Sequence, residues 1–202
     1  GEARRGCGRG RRLMSYATVA ECRAWIGRPG TTPTPDDVLA AVLASACEDI
    51  DAHCGRSFAV APVDAEVTSR VYVADSPRVL IDDVCVIDGV EESEDGVAWT
   101  PAAVTWHAEP WNVTPVTTIV GDGAFSAYVR VTSSAWGWPS VPARVCQATL
   151  MHTARLHARR NSPSGVEGID DFGAVRVSGR LDGDVARMLE PLRRADRVLG
   201  LA

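Results

Sequence analysis

The stretch Trp136-Gly-Trp-Pro139 leads into Val141-Pro-Ala-Arg-Val-Cys-Gln-Ala-Thr-Leu-Met-His-Thr-Ala-Arg-Leu-His-Ala-Arg-Arg160, and this run indicates the fold more clearly than any other part of the chain. Its apolar residues recur at spacings of three and four, which is the period of a helix with one buried face. Ser140 and Pro142 are typical of a helix start, and the final arginines suit the negative end of the helix dipole. We therefore predict a core helix within residues 135–162.

Two further helices are predicted before it. Thr18-Val-Ala-Glu21 is a capping-box pattern, in which the Thr hydroxyl and the Glu carboxylate bond the backbone N–H groups of a short helix that ends at Gly27. Thr34-Pro35-Asp36-Asp37 combines an N-cap residue, a proline at the first helical position and two acids. It predicts a helix over about residues 35–54, with Gly55 as its C-terminal cap.

The chain changes character over residues 62–134, where β-branched runs alternate with turn residues. The spacing of these runs predicts an antiparallel sheet or a small barrel-like insertion. The acidic run Glu91–Asp95 is interpreted as a solvated turn between strands. The candidate strands are Glu66–Val73, Val79–Ile87, Val97–Trp99, Val104–Trp106, Thr117–Val120 and Tyr128–Thr132.

Residues 163–202 combine glycine-rich stretches with arginines and few large apolar side chains. Such a segment cannot offset its own ordering entropy by burial, so we predict an arm that orders only against another chain. Val175 and Val177 would add to that chain as a strand, while Leu189 and Leu192 would anchor a short helix.

These elements predict an α+β fold with a helical core of three to four helices, an inserted antiparallel β region and an extended C-terminal arm. Asp182 is the expected N-cap of the helix within the arm. The predicted segments are a disordered Arg-rich leader (1–13), N-terminal helices (14–61), a β insertion (62–134), a core helix (135–162) and a C-terminal docking arm (163–202).

Charge is distributed unevenly over the 202 residues, which carry 21 arginines, no lysine and a net charge of −5. Residues 1–12 have a net charge of +4, residues 13–132 have −12 and residues 133–202 have +3. Opposite charges on the body and the ends favour head-to-tail contacts between subunits. The leader can also be interpreted as a tail that binds nucleic acid.

Composition excludes several enzyme classes. Without lysine the chain cannot form a P-loop, a Schiff base or a Ser-Lys dyad. No nucleophile has an evident base, so we predict no enzyme activity, no catalytic residues and no cofactor. His152 and His157 lie five residues apart, which is a poor spacing for two metal ligands on one helix, and no metal site is expected. A hydrolase with carboxylates around Asp82 and Asp83 stays open as an alternative.

The six cysteines lack Cys-x-x-Cys spacing, and four of them fall on apolar faces of predicted helices. Buried free thiols are therefore expected. No apolar run approaches the roughly 20 residues that span a bilayer, so we expect no membrane contact.

The order of these motifs resembles the head-to-tail connector (adaptor) proteins of tailed bacteriophages, which form a ring beneath the portal. The resemblance covers most of residues 14–194. It is carried by Tyr16-Ala-Thr-Val-Ala-Glu21 with Trp25-Ile-Gly27, by the Asp36-Asp37 helix closing in Ile50-Asp-Ala-His-Cys-Gly-Arg-Ser-Phe58, by Trp136-Gly-Trp-Pro139 leading to Gln147-Ala-Thr-Leu150 and Ala158-Arg-Arg-Asn-Ser-Pro163, and by Phe172-Gly-Ala-Val-Arg-Val177 before Leu181-Asp-Gly-Asp184.

The resemblance implies a structural virion protein at the head–tail interface, assembled in the host cytoplasm. Its partners would be a portal protein, a tail-completion or stopper protein, and copies of itself in a ring of twelve through which double-stranded DNA passes without specific binding. The expected portal-docking residues are Val175, Arg176, Val177, Arg180, Leu189, Leu192, Arg193 and Arg194. Candidates for the subunit interface are Trp136, Trp138, Arg159 and Arg160. The alternative function is a DNA-binding module that uses the Arg-rich leader.

Overall fold

The computed structural model describes residues 15–27, 34–63, 65–160, 166–170, 173–176 and 181–194. Within these ranges lie four α-helices and two antiparallel four-stranded sheets, which confirms the predicted α+β class. The predicted leader at residues 1–13 falls outside them. No helix in the described ranges is long and apolar enough to cross a membrane. The helices are α1 (Val19–Ile26), α2 (Asp36–Cys54), α3 (Ala143–Arg160) and α4 (Gly183–Leu189), the last continued by a 3₁₀ turn over Glu190–Leu192.

Local signals place the ends of α1 and α2. The capping box of α1 is present, since Glu21 N–H donates to the Thr18 hydroxyl and Thr18 N–H donates to the Glu21 carboxylate. Gly55 caps α2 with a left-handed φ of 65°. The predicted Thr34 cap is wrong, because Pro35 occupies the N-cap position of α2 and the Thr34 hydroxyl pairs with His157 Nε2 at 2.8 Å instead.

The helical core gathers residues from distant parts of the chain. The segment before α1, helix α2, the loop after it, α3 and α4 all contribute to one cluster of buried side chains. The five cysteines within the described ranges are free, and three of them, Cys22, Cys47 and Cys54, are buried. Burial raises the pKa of the Cys54 thiol to about 11, so it is an un-ionised packing group.

Eight strands between α2 and α3 form the two four-stranded sheets. One sheet has the order β1-β7-β3-β4 and the other has the order β5-β6-β2-β8. They enclose a second cluster of buried side chains, which includes Ile81, Val84, Ile119, Val129 and Val131. The strands are β1 (Thr68–Val73), β2 (Arg78–Val86), β3 (Gly89–Ser93), β4 (Thr100–Pro101), β5 (Trp106–Glu109), β6 (Val116–Gly121), β7 (Tyr128–Ser133) and β8 (Ala135–Trp136).

The interpretation of Glu91–Asp95 as a solvated turn is wrong for its first half. Glu91 and Glu92 lie in β3, and Glu92 is only 7% exposed. Its carboxylate accepts hydrogen bonds from the N–H groups of Ala103 (2.8 Å) and Ser126 (3.0 Å). A buried acid at this position interrupts the apolar–polar alternation by which the strand would have been predicted. The acid is tolerated there because backbone N–H groups donate to its carboxylate. The predicted strand Val97–Trp99 is likewise wrong, because the chain bends there and the next strand begins at Thr100.

A short hairpin lies between α3 and α4. Strands β9 (Val166–Asp170) and β10 (Gly173–Arg176) pair antiparallel with each other and form a separate two-stranded sheet. Asp182 caps α4 as predicted, because its side chain accepts from Asp184 N–H at 3.1 Å.

Candidate functional site: the junction of the two cores

Tyr16 fixes the segment before α1 to the end of α2. Its ring is 4% exposed and meets Phe58 edge-on, with ring centroids 5.9 Å apart. The phenol donates to the Asp51 carboxylate and accepts from Phe58 N–H at 3.0 Å. Burial, followed by the hydrogen bond to Asp51, raises the pKa of Tyr16 above its usual range. The phenol therefore stays protonated and acts as a fixed bridge between two chain segments.

Phe58 packs against Trp138, which follows β8. The two rings lie 5.3 Å apart at an angle of 45°. The Arg56 guanidinium carbon lies 5.1 Å from the centre of the Trp138 ring, a cation–π arrangement. Tyr16, Phe58 and Trp138 thus form a continuous aromatic row from the N-terminal segment to the edge of the sheets.

A buried ion pair lies at the Trp138 end of this row. Arg56, just after α2, binds both carboxylate oxygens of Asp83 in β2, and its Nε lies 3.0 Å from Oδ2. The side chains of Arg56 and Asp83 are 12% and 7% exposed. Trp138 Nε1 donates to the same Asp83 Oδ2 at 3.2 Å, and Arg56 also donates to the Leu192 carbonyl at 3.3 Å. One arginine therefore connects α2, the sheets and the C-terminal turn.

The two adjacent carboxylates have separate partners. Asp82 accepts from Arg70 at 2.7 Å and from the Tyr72 hydroxyl at 3.2 Å, while Asp83 is held by Arg56 and Trp138. Each acid has its own arginine, which is typical of structural ion pairs. Within the described ranges no group of three His, Cys, Asp or Glu side chains is arranged to hold a metal ion.

Gly137 lies where the backbones of the two halves cross. Its φ is +121°, and a Cβ atom there would lie 2.5 Å from the Ala59 carbonyl oxygen. Its N–H donates to the Asp83 carbonyl at 2.8 Å, while Trp138 N–H donates to the Ala59 carbonyl at 2.9 Å. Only glycine fits both the positive φ and the close approach.

The tryptophans on either side of Gly137 belong to different cores. Trp138 packs against the helical cluster and Trp136 against the sheet cluster. Arg70 covers the Trp136 ring at 4.3 Å. Contacts within the chain thus account for both rings, and their use at a subunit interface stays a prediction.

Arg159 and Arg160, also expected at the subunit interface, have different surroundings. Arg160 is exposed at the end of α3. Arg159 is half-buried and lines a cavity of about 470 Å³ between α2, α3 and α4, together with His53 and His152. His152 Nε2 pairs with Asp49 at 2.8 Å.

The prediction that residues 163–202 fold only against another chain is wrong for residues 181–194. Val185 and Leu189 are fully buried in the helical core, and Leu192 packs against it. Arg194 is 8% exposed and its N–H donates to the Cys54 carbonyl at 2.9 Å. The apolar residues of this segment share one helical face, and that face packs against the helical core.

Leu189 and Arg194 are therefore unavailable as portal contacts in this conformation. Arg193 is partly exposed and pairs with Glu190 at 3.1 Å. Among the other expected docking residues, Val175 and Arg176 belong to strand β10, whereas Val177 and Arg180 lie outside the described residues.

Sequence reasoning missed the contacts that build the junction. Arg56 and Asp83 are 27 positions apart, and Tyr16 and Asp51 are 35 apart, so no local pattern links them. A glycine between two tryptophans was visible in the sequence, but its role depends on Ala59, which lies in another segment.

No family model and no curated protein matches the chain. Its fold is similar to that of a chain in the neck of an empty gene transfer agent (GTA) particle computed with C6 symmetry, with a TM-score of 0.52 and 20% identity. A chain in the neck of the native GTA particle, computed with C12 symmetry, gives a TM-score of 0.51 and 18% identity. Both comparisons cover 91% of each chain. The resemblance to head-to-tail connectors is thereby confirmed at the level of the fold.

Proposed function

We propose that this protein is a structural subunit of a virion neck, a connector that forms a symmetric ring between head and tail. The observation that carries the proposal is the fold shared with GTA neck chains over 91% of each chain. A ring requires a rigid subunit, and the buried Arg56–Asp83 pair with the Gly137 crossing supplies a rigid joint between the two cores.

The finer proposal places a ring of twelve copies at the head–tail interface of the virion, below a portal protein and above a tail-completion or stopper protein. The neighbour computed with C12 symmetry supports this number. Leu192 and Arg193, which are partly exposed at the end of the described chain, are the C-terminal residues that we assign to the portal contact. Arg160, exposed at the end of α3, is assigned to a subunit interface.

Double-stranded DNA would pass through this ring without specific binding. Residues 13–132 have a net charge of −12, and a channel lined by such a surface repels phosphates. The proposed function is structural, and none of the described carboxylate pairs requires a catalytic role.

Negative-stain images of the purified chain, alone and mixed with the portal protein of the same particle, test this function. We expect closed rings stacked coaxially on the portal. Monomers that remain free of portal at micromolar concentration would overturn the proposal.

The alternative, DNA binding by the Arg-rich leader, concerns residues outside the described ranges. It predicts salt-dependent binding of duplex DNA that disappears when residues 1–12 are deleted. The connector proposal predicts that this deletion leaves ring formation intact.

A further inference from the structure

The cavity between α2, α3 and α4 receives one row of side chains from each of the two long helices. Residues three or four positions apart share a helix face, so each row presents its groups to the same space. The cavity measures about 470 Å³, which is ample for a small ligand. The residues that matter here are Asp49 and His53 on α2, His152, Leu156 and Arg159 on α3, and Ala186 on α4.

Buried polar atoms without hydrogen bonds are concentrated around this cavity. In the described ranges, every such side-chain atom belongs to α2, α3 or the C-terminal turn. Two of these atoms, His53 Nε2 and Arg159 Nε, belong to residues that line the cavity. Buried polar groups are normally satisfied, so a cluster of unsatisfied ones calls for a bound ion, ligand or water molecule.

Charge distinguishes between these occupants. Three acids of the surrounding helices and turns already have basic partners, in the ion pairs Asp49–His152 at 2.8 Å, Asp182–Arg155 at 2.8 Å and Glu190–Arg193 at 3.1 Å. Arg159 is half-buried and forms no ion pair with any residue that the structure describes. A water molecule would satisfy its Nε but would leave its charge without a counter-ion, whereas an anion does both.

His53 is the second group that an anion would contact. Burial and the nearby Arg193 lower the pKa of its imidazole, so the ring by itself is neutral near neutral pH. The charged groups around it are Asp49 on its own helix, His152 and Arg159 on α3, and Glu190 and Arg193 on the C-terminal turn, while α4 contributes the Ala186 backbone. An anion beside the ring would raise this pKa and make Nε2 a donor, because opposite charge favours the protonated form.

We propose that this cavity binds an oxyanion, a phosphate or a carboxylate, between Arg159 and His53. A guanidinium matches such a ligand because its N–H groups bind two oxygens side by side. The ligand has two sources, a free ion or an acidic side chain of another chain, and both present the same oxygens. The second source would keep Arg159 at the subunit interface where the sequence led us to expect it.

NMR titration of the full-length chain with sulfate tests the site. Sulfate stays divalent throughout the titration, so any dependence of binding on pH comes from the protein. We expect a saturable shift of the His53 ring C–H signal and a higher pKa of His53 when sulfate is bound. His107, in β5 of the sheet half, is the control in the same spectra. A His53 signal that responds to sulfate no more than to sodium chloride of equal ionic strength would overturn the proposal.

Substitutions locate the bound ion. Arg159→Gln should weaken sulfate binding at least about tenfold, because a charge-assisted hydrogen bond is lost. Arg144→Gln is the matched control, since Arg144 is exposed at the opposite end of α3. Arg159→Lys keeps a charge in the cavity and measures the contribution of the guanidinium if the glutamine variant does not fold. Equal affinities in folded Arg159→Gln and Arg144→Gln chains would show that sulfate binds elsewhere.

The dependence on pH separates the two histidines of the cavity. Sulfate should bind more tightly at acid than at alkaline pH, because binding raises the pKa of His53 and therefore takes up a proton. His53→Gln should abolish this dependence, although His152 remains beside Asp49. If the dependence persists unchanged in His53→Gln, the assignment of His53 to the site is wrong.

Ring assembly distinguishes the two sources of the oxyanion. If the ligand is a carboxylate of an adjacent chain, excess phosphate competes with it and weakens ring formation. If the ligand is a free ion, phosphate leaves ring formation unchanged. The inference stands apart from the connector function, because a chain that forms no ring but binds sulfate as expected would overturn only the latter.

Discussion

The helical half and the sheet half of this protein are assembled in opposite ways. The core of the sheet half comes from one continuous run of strands between residues 68 and 136. The helical core instead combines Tyr16, Phe58, Val145 and Leu189, which come from four separate stretches of the chain. The helical half therefore depends on both ends of the described chain, and its last helix is part of the fold rather than a free arm.

The joint between the halves should show the largest effect. Asp83→Ala leaves the Arg56 charge buried without its carboxylate, which typically costs about 3–5 kcal/mol. Denaturant unfolding, followed separately by tryptophan fluorescence and circular dichroism, measures the loss. Asp82→Ala is the matched control, because its partly exposed pair with Arg70 should contribute less than about 1 kcal/mol. Equal effects at the two positions would contradict the role of the buried pair.

Leu189→Ala tests whether α4 belongs to the helical core. Leu189 is fully buried, so its truncation should lower the free energy of unfolding by about 3 kcal/mol. Leu80→Ala, at a half-exposed position in β2, should cost under about 1 kcal/mol. If the Leu189→Ala chain is as stable as the wild type, this segment is a free arm and not part of the core.

Gly137→Ala should destabilise the crossing of the two halves by about 2 kcal/mol or more, because the new methyl group meets the Ala59 carbonyl at a positive φ. Gly183→Ala is the control in a helix, since nothing lies within 4 Å of its added Cβ. We expect that change to be neutral or slightly stabilising. The opposite order in thermal unfolding would show that the crossing tolerates a side chain.

Acid should weaken the sheet half in part through Glu92. Backbone hydrogen bonds from Ala103 and Ser126 lower the pKa of this carboxyl below its usual value. The stabilisation by the charged form is present above the ordinary pKa of about 4.3 and is lost as pH falls through the folded value. Glu92→Gln should make stability fall less steeply on acidification below that pH. Parallel stability curves for the two proteins would rule out this contribution.

The sequence allowed prediction of those elements whose signals are local. The capping box at Thr18, the glycine cap of α2 and the helical spacing in α3 each act within a few residues, and the structure bears them out. Strand β3 was not predicted, because Glu92 is a buried acid whose carboxylate accepts hydrogen bonds from backbone N–H groups that are distant in the sequence. The burial of α4 was not predicted, because the sequence shows its apolar face but not the core surface against which that face packs.

The junction lay beyond any local pattern. Arg56, Asp83 and Trp138 come from three separate segments of the chain. Nothing in the sequence distinguishes the two charged residues from charges on the surface.

Native mass spectrometry of the protein assembled with its portal tests the central claim most directly. The account predicts a closed complex that contains twelve copies of this chain. A monomer that binds no portal, with an intact fold by circular dichroism, would contradict it.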